Sequence, residues 1–196
     1  MSDPRCIMIL SEKSSGSSAL QSSLSRIDGV HLIEWTQHSE RETLYWTKAA
    51  SILGLPQIKM VDSEVPFTPD RARTEIVDLL SRNLPSYIPS LRDDQALLFG
   101  GWEALCDRYG PVFVEKSPHH LCQWSALELI RECVDRCKHI DFLLIGLVRN
   151  PLAVLYSQFI RWQTRPELLQ MQWLNAYRNL GCLKPSVRWA AVHSDL

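Results

Sequence analysis

Residues 6–18 read CIMILSEKSSGSS, in which five apolar residues are followed directly by eight that are polar or glycine. A short, continuous apolar run of this kind is typical of a strand buried on both faces of a parallel sheet. Leu20, Leu24 and Ile27 then recur at helical spacing. The stretch therefore predicts a strand, a loop and a helix, which together form the first half of a βαβ unit.

Similar patterns along the rest of the chain predict one fold class. Further strands are expected at 112–114, 140–148 and 187–192, and the longest apolar run, 140–148, is expected to be the central strand. Helices are predicted at 40–53, 69–83, 93–109, 119–137, from Pro151 onward, and at 167–180. Strands that alternate with helices favour a three-layer α/β/α sandwich with a central parallel sheet.

The length and composition set the domain organisation and the class of protein. A chain of 196 residues predicts a single domain over residues 1–196, in which 31–110 forms a helical insertion. The formal net charge of -1 gives no general attraction to nucleic acid or to a membrane surface. The apolar run at 6–10 is too short for a signal peptide or a membrane span, so a cytoplasmic location is expected. The six cysteines lack zinc-ligand spacing, which predicts buried, reduced thiols and no metal site.

Three polar clusters each come directly after a predicted strand. They are the loop at 11–18, the segment at 115–117, and Arg149. Ligands of open parallel sheets bind outside the carboxyl ends of the strands. We therefore expect these clusters to meet in one crevice.

The loop at 11–18 has the composition of an anion-binding site. Backbone N–H groups and serine hydroxyls at a helix N-terminus favour phosphate or sulfate, and Lys13 would add a mobile positive charge. In an alignment with the Walker A pattern, Ser11 stands at the first glycine and Ser17 at the lysine, which disfavours an ordinary ATPase or GTPase.

The segment after the second strand offers candidate proton acceptors. Glu115 at a strand end is a candidate general base if it faces a cleft. The structural alternative is a surface ion pair and a helix start, with Ser117 as N-cap and Pro118 at the first helical position. His119 and His120 follow directly and stay open as alternatives.

Arg149 is followed by Asn150, Pro151 and, eight residues after the arginine, Ser157. An arginine at a strand end can bind a phosphate through two hydrogen bonds, and Ser157 on the following helix can add a hydroxyl. Helix capping or an ion pair is the structural alternative for Arg149.

Together these segments resemble the sulfotransferases, over the chain from Cys6 to about Phe159. Lys13-Ser14-Ser15-Gly16-Ser17-Ser18 is similar to their 5′-phosphosulfate loop, and Arg149-Asn150-Pro151 with Ser157 is similar to their 3′-phosphate-binding element. Phe113-Val114-Glu115-Lys116-Ser117 is similar to the segment that supplies the catalytic glutamate of the heparan-type N-sulfotransferases.

The resemblance implies a P-loop NTPase-like sulfotransferase fold, with 3′-phosphoadenosine 5′-phosphosulfate (PAPS) as co-substrate and no metal. The loop from Ser14 to Ser18 would surround the 5′-phosphate, and Arg149 and Ser157 would bind the 3′-phosphate. Lys13 would stabilise the leaving phosphate, Glu115 would take the acceptor's proton, and Lys116 would orient it. Many members of the family use a histidine as base after the corresponding strand, so His119 and His120 remain alternatives.

The acceptor would be a hydroxyl or amine of a small molecule, glycan or lipid. Sulfotransferases continue past the strand expected at 187–192 with a basic, glycine-containing loop, so the C-terminal part of the domain is expected to be incomplete. A non-catalytic nucleotide-binding or interaction protein and a small-molecule kinase are the alternative functions.

Overall fold

The computed structural model of the protein describes residues 4–90, 92–183 and 188–194. Its centre is a five-stranded sheet in which every paired neighbour is parallel, with the strand order β2-β3-β1-β4-β5. The strands are β1 (Arg5–Ser11), β2 (Val30–Leu32), β3 (Val112–Lys116), β4 (Asp141–Arg149) and β5 (Trp189–Ser194). Helices flank this sheet, so the predicted α/β class is confirmed.

Eight α-helices lie in the described ranges, and a π-helical turn at Ala96–Gly100 leads into the fourth. They are α1 (Ser17–Leu24), α2 (Tyr45–Ile52), α3 (Pro69–Asn83), α4 (Gly101–Arg108), α5 (His119–Cys122), α6 (Trp124–Arg136), α7 (Pro151–Trp162) and α8 (Pro166–Leu183).

The strand β1 is buried on both faces, as its apolar run predicts. Cys6, Met8 and Leu10 point into the larger hydrophobic cluster, which includes residues of α2 to α6 and α8. Ile7 and Ile9 point to the opposite face, where α1 covers a smaller cluster. Successive side chains of a strand alternate between faces, so a run without polar residues fits only a strand covered on both sides.

The order of the strands places a topological switch point beside β1. The chain leaves β1 toward β2 on one side of the sheet and leaves β4 toward β5 on the other. The pairing of β1 with β4 sets Ser11 opposite Leu147, so the loop after β1 begins close to Arg149, the last residue of β4. A crevice opens where the connections of neighbouring parallel strands diverge.

Two expectations about the sheet were wrong. The middle position belongs to β1, and the longest apolar run forms its neighbour β4. Residues 31–110 were expected to form a helical insertion without a strand, but the first two of them belong to β2, which pairs with β3. The strand β2 has only three residues and a histidine at its centre, which is too short for an alternating pattern to be recognised. The last predicted strand, 187–192, begins in a part of the chain outside the described residues and is observed as β5.

The helix boundaries also differ from prediction at three places. The helix expected at 40–53 begins at Tyr45, because Leu44 before it has a left-handed backbone with φ of 52°. The helix expected at 119–137 is divided at Gln123, whose side chain accepts from the backbone N–H of Ile58 at 2.9 Å and donates to the Ile58 carbonyl at 2.8 Å. Ile27 lies beyond the end of α1 and is 56% exposed.

The cysteines are free thiols, and five of the six are buried, as their spacing predicts. No helix within the described ranges is both long enough and apolar enough to cross a bilayer. In the same ranges, no group of three or more His, Cys, Asp or Glu side chains is arranged to hold a metal ion.

Candidate functional site

A cavity of about 790 Å³ lies at the carboxyl edge of the sheet. Two of the three polar clusters from the sequence meet in it: the loop after β1, and Arg149 with Ser157. No residue of the remaining cluster, 115–117, lines the cavity, but Pro118 and His119 directly after it do. The lining residues are Lys13, Ser14, Gly16, Ser17, Ser18, Ala19, His38, Ser39, Glu40, Glu42, Asp62, Ser63, Glu64, Pro118, His119, Arg149, Ser157, Arg161 and Trp162.

The loop after β1 contains two residues with a left-handed backbone conformation. Ser14 has φ of 60° and Gly16 has φ of 91°. Gly16 is the N-cap of α1, and no side chain caps the helix there. A residue without Cβ adopts such a φ at little cost, which explains the glycine. The first N–H groups of α1 have no partner within the helix and are directed toward the end at which the cavity lies.

Lys13 lines the cavity, and its ammonium group is held by a neighbouring loop. Nζ donates to the carbonyl oxygen of Asp62 at 2.9 Å and to that of Val61 at 3.2 Å. The same atom lies 6.0 Å from the ring centre of Trp162. Burial lowers the pKa of Lys13 from its ordinary value, and the charge of Glu12 opposes this shift.

Arg149 is the last residue of β4, the strand on the other side of the switch point from β1, and Ser157 lies on α7, the helix that follows β4. The Nη1 atom of Arg149 donates to the carbonyl oxygen of Ser14 at 2.8 Å. Asn150 caps α7 by accepting from the backbone N–H of Leu152 at 2.9 Å, so the helix begins directly after β4. Ser157 and Arg161, one turn apart on α7, both reach the cavity. Arg149 and Ser157 therefore line the same cavity as the loop after β1.

The serines of the loop point in different directions. Ser15 is fully buried, does not line the cavity, and shares a hydrogen bond with the hydroxyl of Tyr177 at 3.2 Å. Ser18 lines the cavity, and its hydroxyl donates to Oε2 of Glu40 at 3.3 Å. Ser15 can therefore offer a ligand its backbone N–H, whereas Ser18 can also offer its side chain.

The structure does not bring Glu115 to the cavity. Glu115 lies inside β3 and is 1% exposed. Its Oε1 accepts from Thr43 Oγ1 at 2.8 Å and from the hydroxyl of Ser117. Ser117 is thus occupied by Glu115 and by the backbone N–H of Leu44, and the predicted helix cap by Ser117 is not formed. Burial raises the pKa of Glu115 to about 7, although the hydrogen bonds from Ser117 and Thr43 oppose the shift.

Lys116 lies behind the cavity wall and is fully buried. Its Nζ donates to Oε1 of Glu42 at 2.8 Å and to the hydroxyl of Ser18 at 3.0 Å. Both of these partners line the cavity. Lys116 therefore acts on the cavity through its neighbours and does not reach a bound molecule directly.

The two histidines after β3 have different surroundings. His119 lines the cavity and is 6% exposed, with Nδ1 3.6 Å from Oε2 of Glu42. Burial, and after it the charge of Lys13, hold the pKa of His119 well below its ordinary value. His120 is fully buried beside Glu115, and burial lowers its pKa to about 3. Of the two, His119 is the imidazole that a substrate in the cavity can reach.

Sequence reasoning missed several residues of this cavity. Arg161 follows Ser157 by four residues, and this helical spacing was a usable signal. His38, Glu40 and Glu42 belong to the non-helical segment before α2, where no periodic pattern marks them. Asp62 and Glu64 come from the loop between α2 and α3, which is equally without a pattern.

The comparisons with known proteins bear on the fold. No protein-family model matches the chain, and no curated protein matches it by sequence. One similar solved structure is a sulfotransferase from Alicyclobacillus acidocaldarius, at 16% identity and a TM-score of 0.48, covering 98% of this chain and 74% of that one. Another is a gluconokinase from Sinorhizobium meliloti 1021, at 14% identity and a TM-score of 0.46, covering 100% of this chain and 86% of that one. The two names denote different enzymes, so the reaction of this chain has to be argued from its own residues.

Proposed function

We propose that this protein is a sulfotransferase, which binds PAPS in the cavity at the switch point and transfers the sulfuryl group to a hydroxyl or amine. The observation that carries the proposal is the meeting of Lys13, Arg149 and Ser157 around the N-terminus of α1. Lys13 follows β1, whereas Arg149 ends β4 and Ser157 lies on the helix after it, so these residues are far apart in sequence. They are residues that the sulfotransferase motifs single out.

The cavity has the size for a nucleotide, and its lining offers three basic side chains for phosphate groups alongside four acidic side chains. Ligand sites commonly have volumes of roughly 300–1,000 Å³, and this cavity has about 790 Å³. The hydroxyl of Ser14 is buried without a hydrogen-bond partner in the described residues. Arg149 and Ser157 are the groups that would bind a 3′-phosphate, with Arg161 beside them, and the N–H groups at the start of α1 would bind the 5′-phosphate.

When bound, PAPS supplies an already activated sulfuryl group, so the protein has mainly to position the reactants and stabilise charge. Lys13 is the basic residue of the loop itself and would stabilise negative charge on the leaving phosphate. To do so its Nζ has to exchange the carbonyl oxygens of Val61 and Asp62 for the ligand.

His119 is the group that we assign as proton acceptor, in place of Glu115. A general base has to lie within hydrogen-bond reach of the proton that it removes. His119 lines the cavity, whereas the Glu115 carboxylate is buried behind it and bonded to Thr43 and Ser117. The lowered pKa keeps the imidazole of His119 neutral near pH 7, which is the form that accepts a proton.

Transfer of label from donor to acceptor tests the proposal. The purified chain is incubated with PAPS radiolabelled in the sulfuryl group and with a phenol, an aliphatic alcohol or an amino sugar, in the presence of EDTA. We expect labelled acceptor and release of 3′-phosphoadenosine 5′-phosphate. Transfer of label only from γ-labelled ATP with magnesium would contradict the proposal and show that the protein is a kinase. Binding of the bisphosphate without transfer to any acceptor would contradict catalysis and support a nucleotide-binding protein.

A further inference from the structure

Glu42 stands at the centre of a buried polar network behind the cavity. It is 6% exposed, and it comes from the non-helical segment before α2. Its Oε1 accepts from Lys116 Nζ at 2.8 Å, while its Oε2 lies 3.6 Å from Nδ1 of His119 and 3.7 Å from Nδ1 of His38. One carboxylate thus faces the proposed base with one oxygen and a buried lysine with the other.

Glu42 lies beside the Nδ1 atom of His119 and therefore bears on the tautomer of that ring. This Nδ1 atom is buried and has no hydrogen-bond partner among the described residues, and Oε2 of Glu42 lies 3.6 Å from it. In a neutral imidazole only one nitrogen carries a proton, and a carboxylate beside one nitrogen favours the proton there. A proton on Nδ1 leaves the lone pair of Nε2 for the substrate. The distance of 3.6 Å is slightly long for a hydrogen bond, and such contacts often tighten when the substrate binds.

The same network reaches the loop after β1, here called the donor loop because it would bind the sulfuryl donor. Lys116 donates both to Glu42 and to the hydroxyl of Ser18, which belongs to the first turn of α1. A ligand that forms a hydrogen bond with the Ser18 hydroxyl therefore changes the hydrogen bonding of Lys116. This in turn changes the interaction of the Lys116 ammonium group with the Glu42 carboxylate. Networks of this kind in a buried site couple their members more strongly than exposed pairs do.

We infer that Glu42 is a positioning residue, which holds His119 with its proton on Nδ1, and that Lys116 couples this arrangement to Ser18 of the donor loop. The inference rests on the proposed function for its purpose, because it concerns the base of that reaction. It adds that binding at the donor loop affects the protonation of His119 on the acceptor side of the cavity.

Other charged or titratable groups also face His119. They are Lys13 from the loop after β1, His38 from the segment of Glu42, Lys116 from β3 and the adjacent His120. Glu42 is the one carboxylate in contact with the ring among the described residues. An effect of Glu42 on the His119 proton is therefore separable from the effects of these positively charged or neutral neighbours.

Nitrogen NMR of the histidine side chains tests the inference without any need for activity. In ¹⁵N-labelled protein near pH 7.5, the two ring nitrogens of His119 are identified by the loss of their signals in His119→Gln. We expect a protonated Nδ1 and a bare Nε2 in the wild-type protein, and a shift toward the Nε2-protonated form in Glu42→Gln. A wild-type ring protonated on Nε2, or a ring unchanged by Glu42→Gln, would overturn the inference.

Two further variants control for misfolding and for general charge effects. Removal of Glu42 alone leaves Lys116 as an unpaired buried charge, which can destabilise the fold. The double variant Glu42→Gln with Lys116→Met removes both charges, and it should show the same loss of the Nδ1-protonated tautomer. Glu103→Gln removes an exposed carboxylate beside His139 and should leave the His119 signals in place.

The coupling to the donor loop has its own measurement. Addition of 3′-phosphoadenosine 5′-phosphate should change the fraction of the Nδ1-protonated tautomer of His119 in the wild-type protein and change it much less in Lys116→Met at saturating ligand. Direct effects of the ligand in the cavity are common to both proteins, so an equal change of tautomer in both would overturn the coupling through Lys116. If the tautomer is as expected while no acceptor is ever sulfated, the proposed function fails and the positioning by Glu42 stands. If sulfation occurs with the opposite tautomer, the positioning fails and the function stands.

Discussion

The Nη1 atom of Arg149 donates a hydrogen bond to the carbonyl oxygen of Ser14 at 2.8 Å. This bond joins the end of β4 to the loop after β1, across the switch point of the sheet. Arg149 thereby supports the loop and also faces the cavity into which the loop opens. Arg149 and the start of α1 therefore line one cavity, in which they could bind the two different phosphates of one nucleotide.

Replacement of Arg149 should weaken the binding of nucleotides that carry a 3′-phosphate. Loss of a charge-assisted hydrogen bond costs about 1.5–3 kcal/mol, which corresponds to roughly a 10- to 150-fold rise in Kd. Calorimetry of Arg149→Ala with 3′-phosphoadenosine 5′-phosphate and with adenosine 5′-monophosphate measures this. The loss should be much smaller for the monophosphate, and the exposed Arg165→Ala is the matched control. An equal loss for both nucleotides would show that Arg149 acts only by supporting the loop.

His119 and Glu115 can be distinguished by neutral substitutions. His119→Gln should lower kcat by roughly 10²–10⁴-fold, the usual contribution of a positioned base. Glu115→Gln should keep kcat within about tenfold of the wild-type value, because the carboxylate does not reach the cavity. The control His139→Gln alters an exposed histidine. The reverse ranking of the two variants would restore Glu115 as the base.

The pH dependence of kcat/KM gives an independent assignment. Burial holds the pKa of His119 well below its ordinary value of 6.5, so the base is already deprotonated at neutral pH. The rate should be flat near pH 7 and fall only as the pH drops below 6.5. Glu115, whose pKa is raised to about 7, would instead cause the rate to fall on acidification through pH 7. The position of this acid limb, measured with a saturating donor, decides between the two groups.

Glu115 should still affect stability. Its pKa is raised from 4.5 to about 7 in the folded protein, so the folded state binds more protons than the unfolded chain between these pH values. Protonated Glu115 therefore contributes about 3 kcal/mol to the free energy of unfolding below pH 4.5, and this contribution is lost as the pH rises through 7.

Urea unfolding of the wild-type protein and of Glu115→Gln at pH 5 and pH 8 measures this effect. The variant has no charge to bury, so its stability relative to the wild-type protein should rise by up to about 3 kcal/mol between the two pH values. His120 lies beside Glu115, but its pKa in the fold is about 3, so it does not titrate there between pH 5 and pH 8. Its titration in the unfolded chain is common to both proteins and cancels in the comparison. A difference that is independent of pH would mean that Glu115 titrates normally in the fold.

The parts of the site that follow strands were predictable from the sequence. The run of residues 6–10 and the run that became β4 are apolar because both faces of these strands are covered, and this property is local to the sequence. The loop with Lys13 comes directly after β1, Arg149 ends β4, and Ser157 lies on the next helix. Their place at one edge of the sheet can therefore be predicted from the two strands alone. Parallel strands place such residues at one edge of the sheet whatever the rest of the chain does.

The burial of Glu115 and the role of Glu42 depend on packing across the chain. Thr43 and Glu42 come from a segment about 70 residues before β3, and no sequence pattern indicates that this segment packs against the end of the strand. Once it does, Thr43 binds Glu115 and Glu42 binds Lys116. Residues that looked like a strand-end pair facing a cleft thus became part of the interior, and His119 became the group at the cavity.

The central claim is that the cavity binds the sulfuryl donor, and a calorimetric titration with its product tests this most directly. The purified chain is titrated with 3′-phosphoadenosine 5′-phosphate, with adenosine 5′-monophosphate, and with ATP and magnesium. We predict micromolar binding of the bisphosphate and at least roughly tenfold weaker binding of the other two nucleotides, because only the bisphosphate carries a 3′-phosphate for Arg149 and Ser157. Tighter binding of ATP, or no binding of the bisphosphate by a folded sample, would contradict the claim.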